Sequence, residues 1–303
     1  MKKPNFFIIG APKCGTTSLA SYLSDHPEVC FSVPKEPGFW CDDLGVEPHA
    51  FCFKSLEKYL EIFGAADPKK HNVIAEGSTS YLRSRNAVKR ILEYSPTAKF
   101  IVMLRNPVDV AYAYHMEQIF TGLERETDFG RAWQLQDERE YAYDNGQLSP
   151  NCDSLLYRRI AALGTQLKRA VELVPVGRIK VVLLDELKDD PRKVYADILE
   201  FLNISPYERS DFTPLNVSHA QRIPYLSRFV LNPPDLTRPL VDYIRLGLLK
   251  RDYKFVKWLK AQLNVQRPRV EMPDSLRAEL ASYYKNEIVL LQQITGKDLS
   301  SWM

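Results

Sequence analysis

Three clusters in this sequence have the residue types and spacing for chemistry on an anionic group. The first is Gly10-Ala11-Pro12-Lys13-Cys14-Gly15-Thr16-Thr17, set between an apolar run (Phe6 to Ile9) and a segment with helical spacing, Leu19, Tyr22 and Leu23, that stops at Pro27. A glycine loop in that setting aims backbone N–H groups and the positive end of a helix dipole at one point, where a phosphate or sulfate fits. The plain alternative is a tight turn with no ligand. In the nucleoside-triphosphate form of this loop, Lys and then Ser or Thr follow the second glycine. Here Thr16 takes the lysine's place, and the lysine, Lys13, has moved inside the loop. The second cluster is Arg105-Asn106-Pro107, directly after the apolar run Phe100 to Leu104. Ligands of open α/β sheets bind at the carboxyl ends of strands, and a guanidinium fork grips phosphate through two bonds; a structural ion pair is the alternative. The third is Lys35-Glu36-Pro37, followed by Gly38-Phe39-Trp40. A carboxylate among aromatic side chains can gain proton affinity, which suits a general base, whereas an exposed loop carboxylate would do nothing. His115 is the competing base, and Glu76 and Glu117 are further acidic candidates.

The elements that must position these groups alternate strand and helix. Continuously apolar runs at 6–9, 73–75 and 100–104 read as buried strands of a parallel sheet, with a further strand at 179–184 and an extended piece at 29–33. Helices are expected near 16–26, 56–63, 86–94, 108–120, 129–143, 154–173, 191–202 and 275–294, and Pro107 suits the first turn of its helix. This is an α/β fold, a P-loop-like parallel sheet flanked by helices, with a helical and irregular C-terminal elaboration. The 303 residues are expected to form a single domain, with 205–270 as a lid or acceptor-binding elaboration. The stretch from Lys250 to Lys260 alternates basic and apolar residues. It reads as an amphipathic helix with solvated lysines, the other reading being peripheral contact with a membrane, a lipid headgroup or an anionic acceptor.

Composition bounds the function. With 41 Lys+Arg and 38 Asp+Glu the net charge is +3, which does not suggest a nucleic-acid binder. Five cysteines, an odd number without a Cys-x-x-Cys pair, encode neither a disulfide framework nor a local zinc site. No apolar stretch approaches the ~20 residues of a spanning helix, and the expected location is the cytoplasm. Val181 to Leu184 followed by Asp185 superficially resembles the magnesium-binding strand of a kinase or NTPase, but an apolar strand ending in Asp is common, and Asp185 reads as structural.

From Gly10 to Leu19 the chain resembles the 5′-phosphosulfate loop of sulfotransferases that use 3′-phosphoadenosine 5′-phosphosulfate (PAPS), and Arg105 to Tyr112 resembles the second motif of that family. The likeness continues through Glu76 to Leu82, Asp185-Glu186-Leu187, and the tail from Tyr283 to Trp302. The branch it looks most like is that of bacterial enzymes related to the carbohydrate, heparan-type, sulfotransferases. The resemblance implies transfer of a sulfonate from PAPS to a hydroxyl, less readily an amine, of a carbohydrate, glycolipid or other small-molecule acceptor. Adenosine 3′,5′-bisphosphate (PAP) would be the product, by in-line displacement and with no metal. It implies that Ala11, Pro12, Lys13, Cys14, Gly15, Thr16 and Thr17 hold the 5′ end of the donor, with Lys13 at the leaving oxygen and Cys14 a small filler. Arg105 would take the 3′-phosphate, Tyr157 would lie near the adenine, and Glu36 would be the base. One departure stands out: the family's serine eight residues after the arginine is Ala113 here, and Asn216-Val217-Ser218 with Arg222 is offered as a substitute. Acceptor contacts are expected from loops at 42–53, 122–128 and 205–248. A P-loop kinase or an inactive nucleotide-binding protein are the alternatives.

Overall fold

The structure is a computed structural model that describes residues 3–44, 53, 55–148, 150–214, 219–221, 264–266 and 271–303. Five parallel strands form its centre: β1 (Phe6–Gly10), β2 (Val29–Phe31), β3 (Val73–Gly77), β4 (Lys99–Leu104) and β5 (Ile179–Leu183), in the order β2-β3-β1-β4-β5. Every residue of β1 is buried, as its unbroken apolar run requires of a strand covered on both faces. Each such Phe or Ile contributes about 1.5–3 kcal/mol by leaving water. The order reverses at β1, with β3 on one side and β4 on the other, so the loop after β1 opens at the crevice where open α/β sheets bind ligands.

Helices α1 (Thr16–Ser24), α2 (Leu56–Leu60), α3 (Ala87–Tyr94) and α4 (Pro107–Thr121) follow the expected boundaries closely. Asn106 caps α4 through its side chain, which accepts from Val108 N at 3.0 Å, with Pro107 in the first turn. The helix expected at 129–143 is two, α5 (Phe129–Gln134) and α6 (Gln136–Asp144). The one expected at 154–173 is a 3₁₀ turn (Pro150–Leu155) followed by α7 (Tyr157–Ile160) and α8 (Leu163–Leu173). Both breaks have a glutamine as cause. Gln136 Nε2 donates to Ala132 O at 3.0 Å, the carbonyl its own backbone would have used in a continuous helix. Gln166 Nε2 takes Arg159 O and Ile160 O at 2.8 and 3.1 Å, terminating α7. Asp185 lies not at a strand end but inside a short helix, α9 (Leu184–Asp189), paired with Lys188 at 3.2 Å.

Helix α10 (Pro191–Leu202) precedes a short antiparallel pair, β6 (His219–Gln221) with β7 (Asn264–Gln266), and α11 (Asp274–Thr295) closes the fold against α8 and α4. At the α8 contact a side chain on Gly164 would come within 2.4 Å of Glu287 O, so only glycine allows that approach. Arg222, Asn216 to Ser218, the stretch 250–260 and most of the segment 205–270 lie outside the described residues. Among the described residues no helix is long and apolar enough to cross a membrane.

Candidate active site

The glycine loop is fixed from both neighbouring strands. Ala11 N donates to Met103 O of β4 at 2.7 Å, and Leu82 N, beyond β3, donates to Ile9 O at 2.6 Å. Gly15 is the N-cap of α1 with φ at +85°, a left-handed conformation in which a Cβ would also stand 2.8 Å from Leu184 Cδ1. Thr16 and Thr17 are the first two residues of the helix, and no side chain caps it. The first N–H groups of α1 are therefore directed into the loop, as an anion site needs. Cys14 is fully buried with its Sγ 3.3 Å from Pro12 O, and burial pushes the thiol up to about 12, so it fills space and is no nucleophile.

Three cations converge here. Lys13, itself at φ +62°, holds its ammonium 3.3 Å from Glu117 Oε1 on α4. Arg105, at the end of β4, is close enough to Cys14 for its charge to act on that thiol. Its guanidinium lies 3.2 Å from Asp109 Oδ2. The third cation, Lys35, was not singled out from the sequence, although it sits in the same tripeptide as Glu36. Its ammonium reaches Thr16 Oγ1 at 3.4 Å and forms an ion pair with Glu36 Oε1.

Glu36 is thereby drawn to the glycine loop from a different part of the chain. Its N–H donates to Gly77 O at 2.9 Å, and its Oε2 accepts from Thr79 N at 2.7 Å and Thr79 Oγ1 at 3.3 Å. Its backbone has φ at +63°. Lys13, Glu36 and Asn203 are the non-glycine residues with positive φ among those described, and asparagine alone of the three tolerates it well. Held strain of about 1–3 kcal/mol per residue is characteristic of functional sites. Beneath this loop Glu76, at the end of β3, is fully buried beside the Tyr81 and Tyr59 hydroxyls. Burial pushes its carboxyl up to about 8, against the pull of those phenols, and the charge of Glu36 adds to the push.

Two expected site residues are not brought here. His115 is fully buried in α4, its Nε2 donating to Glu126 O at 2.9 Å, with its ring against Phe129 and Tyr157. Burial holds its imidazole below the ordinary histidine value. Tyr157 is also fully buried, donating its hydroxyl to Glu124 Oε2 at 2.6 Å. Burial alone would raise Glu124, but Arg139 at 2.7 Å and the Tyr157 hydroxyl outweigh it and bring the carboxyl down to about 2. The position of both residues is that of a core network, because the turn at 122–128 folds back over α4 and closes it. Only the folded context reveals this; a lone helical His or Tyr carries no local sign of burial.

Comparison with known proteins identifies the family and the fold. The description "Sulfotransferase family" matches residues 4–209. The chain is 30% identical over 222 residues to carbohydrate sulfotransferase 15 of Mus musculus, covering 61% of this chain and 38% of that protein. It is 27% identical over 207 residues to the bifunctional heparan sulfate N-deacetylase/N-sulfotransferase 2 of Homo sapiens, covering 67% of this chain and 22% of that one. It thus spans well under half the length of these curated relatives. The crystal structure of a sulfotransferase from Alicyclobacillus acidocaldarius superposes with a TM-score of 0.68 at 25% identity, covering 100% of this chain and 99% of the other. The glycine loop, the arginine after β4 and the sheet order that joins them are all within the matched residues, and the chain belongs to the sulfotransferase family.

Proposed function

We propose that this protein is a PAPS-dependent sulfotransferase that moves a sulfonate to a hydroxyl, less readily an amine, of a carbohydrate, glycolipid or other small acceptor. The observation that carries the reading is the bridge made by Lys35, whose ammonium joins the Thr16 hydroxyl of the glycine loop to the Glu36 carboxylate. An anion cradle and a base candidate thus share one cation.

The residues fit an anionic nucleotide donor: an uncapped helix start, Lys13 within the glycine loop, Lys35 against Thr16, and Arg105 close enough to act on Cys14. When bound, the donor supplies the sulfonate and a phosphate leaving group. The chain's own part is then electrostatic. Lys13 leaves Glu117 and neutralises the charge that grows at the leaving oxygen, while Thr16 and Thr17 direct N–H groups at the 5′ end. Arg105 anchors the distal phosphate through its guanidinium fork. Glu36 takes the acceptor's proton as its oxygen attacks, and Thr79 keeps the carboxylate oriented. Lys35 pairs with the Glu36 carboxylate and adds positive charge at the reacting end.

A transfer screen with sulfur-labelled PAPS against sugars, glycolipids, phenols and alkyl alcohols tests the reading. Labelled product should form with at least one class and persist in EDTA, because fixed cations carry the charge. Turnover lost in EDTA and restored by magnesium would contradict the assigned roles of Lys13 and Lys35.

A further inference from the structure

Arg105 does not hold Asp109 alone. Asp109 Oδ2 lies 3.2 Å from Arg105 Nη2, and its other oxygen, Oδ1, lies 3.0 Å from Arg277 Nη2, reaching in from the first turns of α11. One carboxylate bridges two guanidiniums, so one positive charge at this point is left without a partner carboxylate among the described residues. Asp109 and residue 113 are one turn apart on the same face of α4, with Arg105 just before its N-terminus. Residue 113 is Ala113, buried and without an oxygen or N–H to offer from its side chain. The tail is also fastened here: Asn106 Nδ2 donates to Trp302 O at 3.3 Å, which holds the C-terminal segment against the loop after β4. Arg277 itself is about half exposed, its side chain 46% accessible, so it can turn from Asp109 to an incoming anion at little cost.

We propose that Arg277 is a second arginine of the distal phosphate subsite, acting with Arg105 in place of a hydroxyl at Ala113, and that Asp109 holds the pair together until the phosphate arrives. This rests on the reading that Arg105 receives the 3′-phosphate of the donor. A phosphate monoester carries up to two negative charges and accepts several N–H donors, so it satisfies both forks at once, which a single carboxylate oxygen on each cannot. A cation in place of a neutral hydroxyl makes the preference for a 3′-phosphorylated nucleotide depend on charge, and therefore on salt.

The test is calorimetric titration of PAP and of adenosine 5′-monophosphate, which lacks the 3′-phosphate, into the whole chain. Wild type, Arg277→Gln, Arg277→Lys and the double variant Arg277→Gln with Ala113→Ser are compared. Arg277→Gln should weaken PAP by about 10- to 100-fold, the value of losing a charged hydrogen-bonding partner, and leave the monophosphate unchanged. Arg277→Lys should restore part of the loss, and Ala113→Ser should recover some of it. If wild type strongly prefers PAP and Arg277→Gln keeps that preference, the second arginine is wrong while the role of Arg105 stands. Equal weakening of both nucleotides also overturns the proposal, because Arg277 would then act on the fold and not on the distal phosphate. If wild type shows no preference for PAP, the assignment of Arg105 falls, and this proposal with it.

Discussion

The residue that decides the proposed chemistry is Glu36, held by Thr79, paired with Lys35 and strained at positive φ. Glu36→Gln keeps the volume and most hydrogen bonding but removes the proton acceptor. It should leave PAP affinity nearly intact and lower turnover by about 10²–10⁴-fold, measured as initial rate against calorimetric affinity. His115→Ala is the contrast. Its ring is buried against Phe129 and Tyr157, so the substitution should cost about 1–3 kcal/mol of stability by denaturant unfolding and leave turnover of the folded fraction almost unchanged. Turnover abolished by His115→Ala but kept by Glu36→Gln would transfer the base to α4. Lys13, Glu36 and Arg105 were legible in the sequence because each sits in a short motif whose local conformation follows from glycine, proline or a strand end. The burial of His115 and Tyr157 was not, since it depends on Glu124 and Arg139 arriving from other elements.

At the scale of elements, the strand–loop–helix unit has little tolerance. Gly15→Ala would place a Cβ 2.8 Å from Leu184 Cδ1 at a φ of +85°. It should destabilise the protein by about 1–3 kcal/mol and weaken PAP binding more than that loss explains, read by unfolding and titration together. Strand β3 carries a pH dependence of its own. Glu76 keeps its proton in the folded protein up to about 8, whereas in the unfolded chain it ionises in the ordinary carboxylate range. The folded state therefore binds more protons across that interval, and stability falls as pH rises through it. Glu76→Gln removes this slope. Its stability relative to wild type should improve from pH 5 to pH 8, checked by urea unfolding at both values; an unchanged difference would mean that Glu76 ionises normally. The central strands β1 and β4 were readable because parallel, doubly covered strands carry unbroken apolar runs. The helix breaks at 135 and 161–162 were not, because each comes from a glutamine side chain competing for backbone carbonyls, which leaves the apolar periodicity intact.

For the whole molecule, the sheet order β2-β3-β1-β4-β5 gathers the three sequence clusters at one crevice. Glu36 arrives after β2 and is tied to the end of β3, Lys13 comes after β1, and Arg105 after β4. The parallel order was foreseeable as a class, but the meeting of Lys35 with Thr16 depends on how the loop after β2 folds over β3, which spacing does not encode. The central claim is that this crevice is built for a 3′-phosphorylated adenylate and not for a nucleoside triphosphate. Binding tests it without knowledge of the acceptor. Equilibrium titration of the whole chain with PAP, and separately with ATP and magnesium, should give markedly tighter binding of PAP and a larger rise in melting temperature at equal concentrations. Tighter binding of ATP with magnesium would contradict the account and assign the glycine loop to phosphoryl transfer.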